Sequence, residues 1–227
     1  MKGVGPLEKK KALILGSTGL IGKELLSILL EEEAYEQIFA LVRRPGHVTH
    51  PKLKECVVDF DNLHPDEAFF KVDDVFCCLG TTIKKAGSRA AMKKVDVEYP
   101  VKVARYAKEN GAAHYLVVSS VNANVKSPFA YSKMKGELED QLKILSYETL
   151  SILHPSLLLG NREEHRFMEG LANKVVRAIE KIKKRPISSN IAIEGKKVAL
   201  AMNRIAQESE KGVHIYSPKQ IEQKVSI

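Results

Sequence analysis

The sequence predicts a doubly wound α/β fold built on a parallel sheet, and three observations predict it. Short apolar runs alternate with helical patterns over most of the chain. The runs are continuously apolar rather than alternating, as strands covered on both faces must be. A glycine-rich turn joins the first run directly to the first helical pattern. With 227 residues, one domain is expected, large enough to bury a core without metal or disulfide staples. Apolar residues at 44% and charged residues at 28% exclude a disordered chain.

The elements follow in order. Residues 12–15 read as a buried strand and 20–32 as a helix. Strands follow at 38–42, 55–60 and 75–79, the last bounded by Gly80. Residues 88–110 form a long amphipathic stretch closed by Gly111, which suits the position just past a helix end. A strand at 115–119, a helix at 131–145 and a strand at 149–153 complete the pattern. Beyond it, 163–184 and 191–207 look helical, and 213–216 like a short strand. Residues 1–227 are therefore read as a single domain in which 160–227 contribute a small substrate cap.

Two motifs carry chemistry. The first is Gly16-Ser17-Thr18-Gly19-Leu20-Ile21-Gly22, set between strand and helix. Gly16 permits the tight turn, Gly19 lets backbone approach a pyrophosphate, and Gly22 lets the helix pack closely on the strand. The helix N-terminus offers N–H groups and partial positive charge to phosphates. The spacing is G-x-x-G-x-x-G and no Walker lysine follows, so a dinucleotide is expected rather than a nucleoside triphosphate. The second strand ends in Arg43 and Arg44, where an NAD site usually carries an acidic residue. Guanidinium groups match a 2′-phosphate, so NADP is favoured over NAD.

The second motif is Tyr131-Ser132-Lys133-Met134-Lys135, which places Tyr131 and Lys135 one above the other on a helix. An ammonium one turn away favours the phenolate form, so Tyr131 is suited to give a proton to a carbonyl or take one from an alcohol. The preceding strand ends in Ser119 and Ser120, and a hydroxyl there can polarise a substrate oxygen.

These segments resemble the atypical NAD(P)-binding short-chain dehydrogenase/reductases, more narrowly the oxidoreductase-like Tat-interacting proteins and their bacterial relatives. The resemblance is carried by GSTGLIG at 16–22, LVRR at 41–44, VVDF at 57–60 and FCCLGTT at 76–82. VDVEYPVKVARYAKENG at 95–111, VVSS at 117–120, YSKMK at 131–135 and HPSLLLG at 154–160 continue it. It implies a Rossmann-like fold and a Ser120–Tyr131–Lys135 triad. It further implies that Asp59 and Phe60 flank the adenine, that Leu79, Gly80 and Thr81 line the cofactor cleft, and that Pro155 and Ser156 pass the nicotinamide end. Two positions depart from the family pattern. Asp96 stands where many members have Asn, which puts an Asn-based proton relay in doubt. His154 stands where relatives often carry Arg, and is read as a packed histidine.

The expected function is NADPH-dependent hydride transfer to a small carbonyl compound, or the reverse. The alternative is an NADP(H)-binding regulatory or scaffold protein with little turnover. Sugar-nucleotide epimerase or dehydratase chemistry is disfavoured by the lack of a large C-terminal domain. The net charge of +8 raises nucleic acid, membrane or phosphate as partners. Sparse aromatics and no tryptophan argue against single-strand binding, and no apolar run is long enough to span a bilayer. Neither nucleic acid nor membrane is expected as a partner, and a monomer or homodimer both fit. Part of the charge is assigned to cofactor phosphates, the rest to solvated lysines such as Lys93 and Lys94. Three cysteines, two of them adjacent, make no disulfide framework and point to a reducing cytoplasm. Cys77 and Cys78 are read as small core residues, and His47 and His50 lack a third metal ligand.

Overall fold

The structure, a computed structural model, describes residues 9–159, 192–208 and 210–226. Seven parallel strands form one sheet: β1 (Lys10–Leu15), β2 (Tyr35–Val42), β3 (Leu53–Val57), β4 (Asp74–Cys77), β5 (His114–Val118), β6 (Thr149–Leu153) and β9 (Gly212–Tyr216). Their spatial order is β3-β2-β1-β4-β5-β6-β9. The chain winds outward from β1 to β3, then crosses to β4 on the other side of β1. That reversal opens a crevice at the carboxyl ends of β1 and β4, where this architecture binds ligands. A separate parallel pair joins β7 (Leu157–Leu159) to β8 (Ala192–Glu194).

Strand side chains alternate between faces, so each strand serves two cores. Leu13, Leu15, Val75, Tyr115, Val117 and Ile152 pack towards one helical layer, α4 (Tyr99–Glu109) and α5 (Ala130–Ile144). Ala12, Ile14, Phe76, Leu116 and Leu153 pack towards the other, α1 (Leu20–Glu31) and α6 (Gly195–Ala206). The adjacent cysteines obey the same rule. Cys77 belongs to the first core, while Cys78 packs against the second with its sulfur 3.9 Å from Met202 Sδ. All three cysteines are free thiols.

The structure refines the sequence reading in four places. The third strand ends at Val57, because Asp59 starts a 3₁₀ turn over Phe60–Asn62 by accepting from the Asp61 N–H at 3.0 Å. After a short helix, α2 (Ile83–Ala86), the stretch 88–110 is α3 (Arg89–Lys93), a π-helical turn (Lys94–Glu98) and α4. Pro100 lies near the start of α4, and a proline inside a helix has no N–H and crowds the carbonyl four residues back, here that of Asp96. Widening the turn relieves that conflict. Residues 192–194 form a strand rather than a helical turn, held by pairing to β7. Finally, the described part of 160–227 extends the main body: β9 adds the seventh strand and α6 packs on α1, followed by α7 (Pro218–Ser226). The helix expected over 163–184 and the basic run at 181–185 lie outside the described residues.

Candidate active site

The glycine turn is as tight as its sequence requires. Gly16 has φ +79°, and its carbonyl accepts from the Gly19 N–H at 3.0 Å. A Cβ on Gly22 would lie 2.0 Å from the Gly16 oxygen, so only glycine lets α1 seat here. No side chain caps the N-terminus of α1, and its first turn carries no acidic residue. Free backbone N–H groups at the head of a twelve-residue helix therefore face the crevice end of β1. Ser17 is buried, Thr18 and Gly19 are exposed, Leu20 is half-buried and Ile21 is buried. Arg43 and Arg44 follow β2 directly, both exposed, and no ion pair among the described residues engages either.

Asp59 and Phe60 part company. Asp59 is exposed and also accepts from Asn62 Nδ2 at 2.7 Å, whereas the Phe60 ring is buried and stacks on Tyr99 with centroids 5.2 Å apart. Lys102 Nζ donates to the Phe60 carbonyl at 2.9 Å, fixing this turn against α4. Leu79, Gly80 and Thr81 lead out of β4 at the crevice, and Pro155 and Ser156 lead out of β6. The glycine turn, open at Thr18 and Gly19, and the uncapped helix fit a dinucleotide whose pyrophosphate meets the head of α1.

Ser120 lies in the loop just after β5, and Tyr131 and Lys135 lie on α5. Tyr131, in the first turn of α5, is 43% exposed, while Lys135 one turn on is 2% exposed. The Lys135 ammonium sits 5.9 Å from the Tyr131 ring centroid. The loop carrying Ser120 folds back onto the same helix: the Asn124 N–H donates to the Ser132 carbonyl at 2.9 Å. Gly136 makes this approach possible, since a Cβ there would lie 2.4 Å from the Val125 nitrogen. The two serines differ. Ser119 is buried and its hydroxyl donates to Glu139 Oε1, while Ser120 is half-buried with no side-chain partner among the described residues.

Two side chains outside the motif make buried contacts beside these residues. Glu139, one turn beyond Lys135, receives the Ser119 hydroxyl and lies 2.8 Å from His154 Nε2. Burial opposes its ionisation, but these two partners hold the carboxyl below its ordinary range. The trio links the ends of β5 and β6 to α5, so His154 is a packed, hydrogen-bonded residue. Asp96, in the π-helical turn, is fully buried. Its Oδ2 accepts from the Thr81 N–H at 3.0 Å and its Oδ1 lies 3.3 Å from Lys135 Nζ. Nearby, Lys93 and Lys94 prove to be paired, with Glu137 at 3.1 Å and Asp61 at 2.8 Å. No group of three metal-ligating side chains exists among the described residues.

Comparison with known proteins places the chain among NAD(P)H-binding folds. The NAD(P)H-binding family matches residues 16–151. Protein HTATIP2 of Rattus norvegicus is 36% identical over 172 residues, 74% of this chain and 71% of the relative. The mitochondrial protein FMP52 of Eremothecium gossypii is 35% identical over 164 residues, 72% of each. Among solved structures, MoeE5 in complex with UDP-glucuronic acid and NAD aligns with a TM-score of 0.70 at 16% identity, over 91% of this chain and 75% of the other. A UDP-N-acetylglucosamine 4-epimerase from Methanobrevibacter ruminantium M1 aligns with a TM-score of 0.68 at 16% identity, over 92% and 76%. At such identities these structures share the fold alone. The family match spans more than half the chain and the sequence relatives cover about three quarters of it, so the protein belongs to the NAD(P)H-binding family of Rossmann folds.

Proposed function

We propose that the protein is an NADPH-dependent oxidoreductase that reduces a small carbonyl compound, or oxidises the matching alcohol, at Ser120, Tyr131 and Lys135. The observation that carries this reading is the stacking of an exposed phenol over a buried ammonium, 5.9 Å from the ring, on the helix beside the cofactor crevice. The glycine turn and the α1 N-terminus would hold the pyrophosphate, and Arg43 and Arg44 the 2′-phosphate. Bound there, the nicotinamide would supply the hydride.

The chain's own residues would handle the oxygen and the proton. The Ser120 hydroxyl, free of the bond that occupies Ser119, would hydrogen-bond the substrate oxygen. Tyr131 would give its phenolic proton to that oxygen as negative charge develops there. Lys135 would stabilise the charge left on Tyr131 and contact the nicotinamide ribose. Asp96 and Glu139 keep the elements bearing these groups in register, without touching substrate in this reading.

Tyr131→Phe is expected to lower turnover by about 100-fold or more, the range for removing a general acid. NADPH affinity, read by cofactor fluorescence, is expected to hold. Unchanged turnover in that variant would overturn the assignment. A second reading keeps the cofactor and drops the turnover. It is favoured by Lys135 being already engaged, by Asp96 and by the Val118 carbonyl at 3.4 Å. A broad carbonyl panel showing no NADPH oxidation, together with cofactor-dependent recovery of a protein partner, would select it.

No described helix is long and apolar enough to cross a membrane. The cysteine content favours a reducing compartment, which we read as the cytoplasm. The fungal relative carries a mitochondrial name, and fractionation of a tagged chain discriminates the two.

A further inference from the structure

The buried charge pair between α5 and the π-helical turn calls for an explanation that stability does not supply. Asp96 and Lys135 are 0% and 2% exposed. Exchanging such a pair for apolar residues is often neutral or stabilising, because both ions must leave water. The contact is also imperfect as a bond. Asp96 Oδ1 lies 3.3 Å from Nζ yet completes no hydrogen bond, whereas Oδ2 is firmly held by the Thr81 N–H. The carboxylate thus has one oxygen fixed to the loop after β4 and the other directed at the lysine. The helical register that puts it there is the widened turn before Pro100, a local deviation often found at functional sites.

We propose that Asp96 is a positioning residue for the Ser-Tyr-Lys site: it fixes the Lys135 ammonium beneath Tyr131 and ties it to the Thr81 segment that lines the cofactor crevice. The inference rests on the reading of Lys135 as the residue that holds the cofactor ribose. Among the described residues, the other titratable groups facing Lys135 are the Tyr131 phenol on α5 and the thiols of Cys77 and Cys78, which burial pushes upward. Asp96 is the one carboxylate in ion-pair reach among the described residues. Without it, burial, which favours loss of the lysine's proton, meets less opposition.

The test is a double-mutant cycle on NADPH affinity, read by cofactor fluorescence between about pH 7 and pH 9.5, below the reference lysine value. Asp96→Asn keeps the side-chain shape and the acceptor for Thr81 but removes the charge. It is expected to weaken NADPH binding about tenfold, the size of one charged contact, and to make affinity fall as pH rises across that range. Asp96→Glu, which keeps the charge, is expected to restore the flat wild-type profile with a smaller loss, and serves as the second arm if Asp96→Asn folds poorly. In a Lys135→Met background both effects should vanish, because Asp96 acts through the lysine. A loss that persists in that background, or an unchanged pH profile in Asp96→Asn, overturns the proposal. If Lys135→Met alone leaves NADPH affinity unchanged, the reading of Lys135 as a cofactor ligand fails first. If Lys135→Met weakens binding and Asp96→Asn does not, only the role of Asp96 fails.

Discussion

In the proposed reading Arg43 and Arg44 select NADP over NAD, and that role can be tested at the two residues themselves. Both are exposed directly after β2, and no described carboxylate pairs with them. Replacing both with alanine is expected to weaken NADPH binding by about ten- to a hundredfold, one or two charged contacts, and to leave NADH affinity nearly unchanged. Thermal stabilisation by each cofactor measures the difference; an equal loss for both would remove the arginines from the 2′-phosphate. At this scale the sequence was informative wherever the chemistry is local. Tyr131 and Lys135 lie one helical turn apart, so spacing alone pairs them. The partnership of Asp96 with Lys135 joins residues on different elements, and no periodicity reveals it. Glu139 was missed for the same reason: its partners, Ser119 and His154, come from the ends of two other strands. Phe60 adds a contact of the same kind: its ring stacks on Tyr99 of α4, a partner no local spacing reveals.

Among the elements, the junction of β1 and α1 makes the sharpest demand on the sequence. Gly22 and Gly19 belong to one motif but carry different loads. A Cβ on Gly22 would meet the Gly16 carbonyl at 2.0 Å, backbone that cannot yield without moving the helix. Gly22→Ala is therefore expected to cost about 3 kcal/mol or more, as overpacking of a fixed site does, and to lower the melting temperature by at least about 5 °C. Gly19 has extended backbone at φ −82°, and its Cβ would lie 3.4 Å from the same oxygen. Gly19→Ala is expected to change the melting temperature little and to weaken NADPH binding, because the added methyl stands at the head of α1. Calorimetry and cofactor titration of both variants separate the roles, and equal destabilisation would refute the division. Element identities were legible where burial is continuous, as in β1, β2, β5 and β6. They were illegible where a tertiary partner decides, as when β7 turns residues 192–194 into a strand. Pro100 was a visible signal within 88–110, and its consequence is the π-helical turn that buries Asp96.

At the scale of the whole molecule, the two ends of the parallel sheet do different work. The crevice lies at the carboxyl ends of the strands, while the opposite end holds a buried polar cluster with no part in the proposed chemistry. There Tyr35 donates to Asp74 at 2.6 Å, Lys10 pairs with Asp74 at 3.1 Å, and His114 Nε2 lies 2.9 Å from Ser151 Oγ. Composition announced the net charge but not this division, because the cluster gathers residues from β1, β2, β4, β5 and β6. Burial first, then the positive charge of Lys10 and the neighbouring His214, push the His114 imidazole down to about 4. An unfolded histidine takes its proton near pH 6.5. Between those values the unfolded chain binds more protons than the folded one, so stability falls as the solution is acidified from about pH 6.5 to pH 4, by an amount on the order of 3 kcal/mol. His114→Gln keeps a partner for Ser151 and cannot titrate, so its stability is expected to lose less over the same window. Asp74, whose carboxyl burial pushes upward, and Glu139 are present in both proteins, and their contributions cancel in the comparison. Denaturant unfolding at a series of pH values measures the two slopes, and identical slopes would remove His114 as the acid-sensitive group. NADPH affinity at pH 7 should be the same in both proteins, since the substitution lies at the far end of the sheet from the crevice.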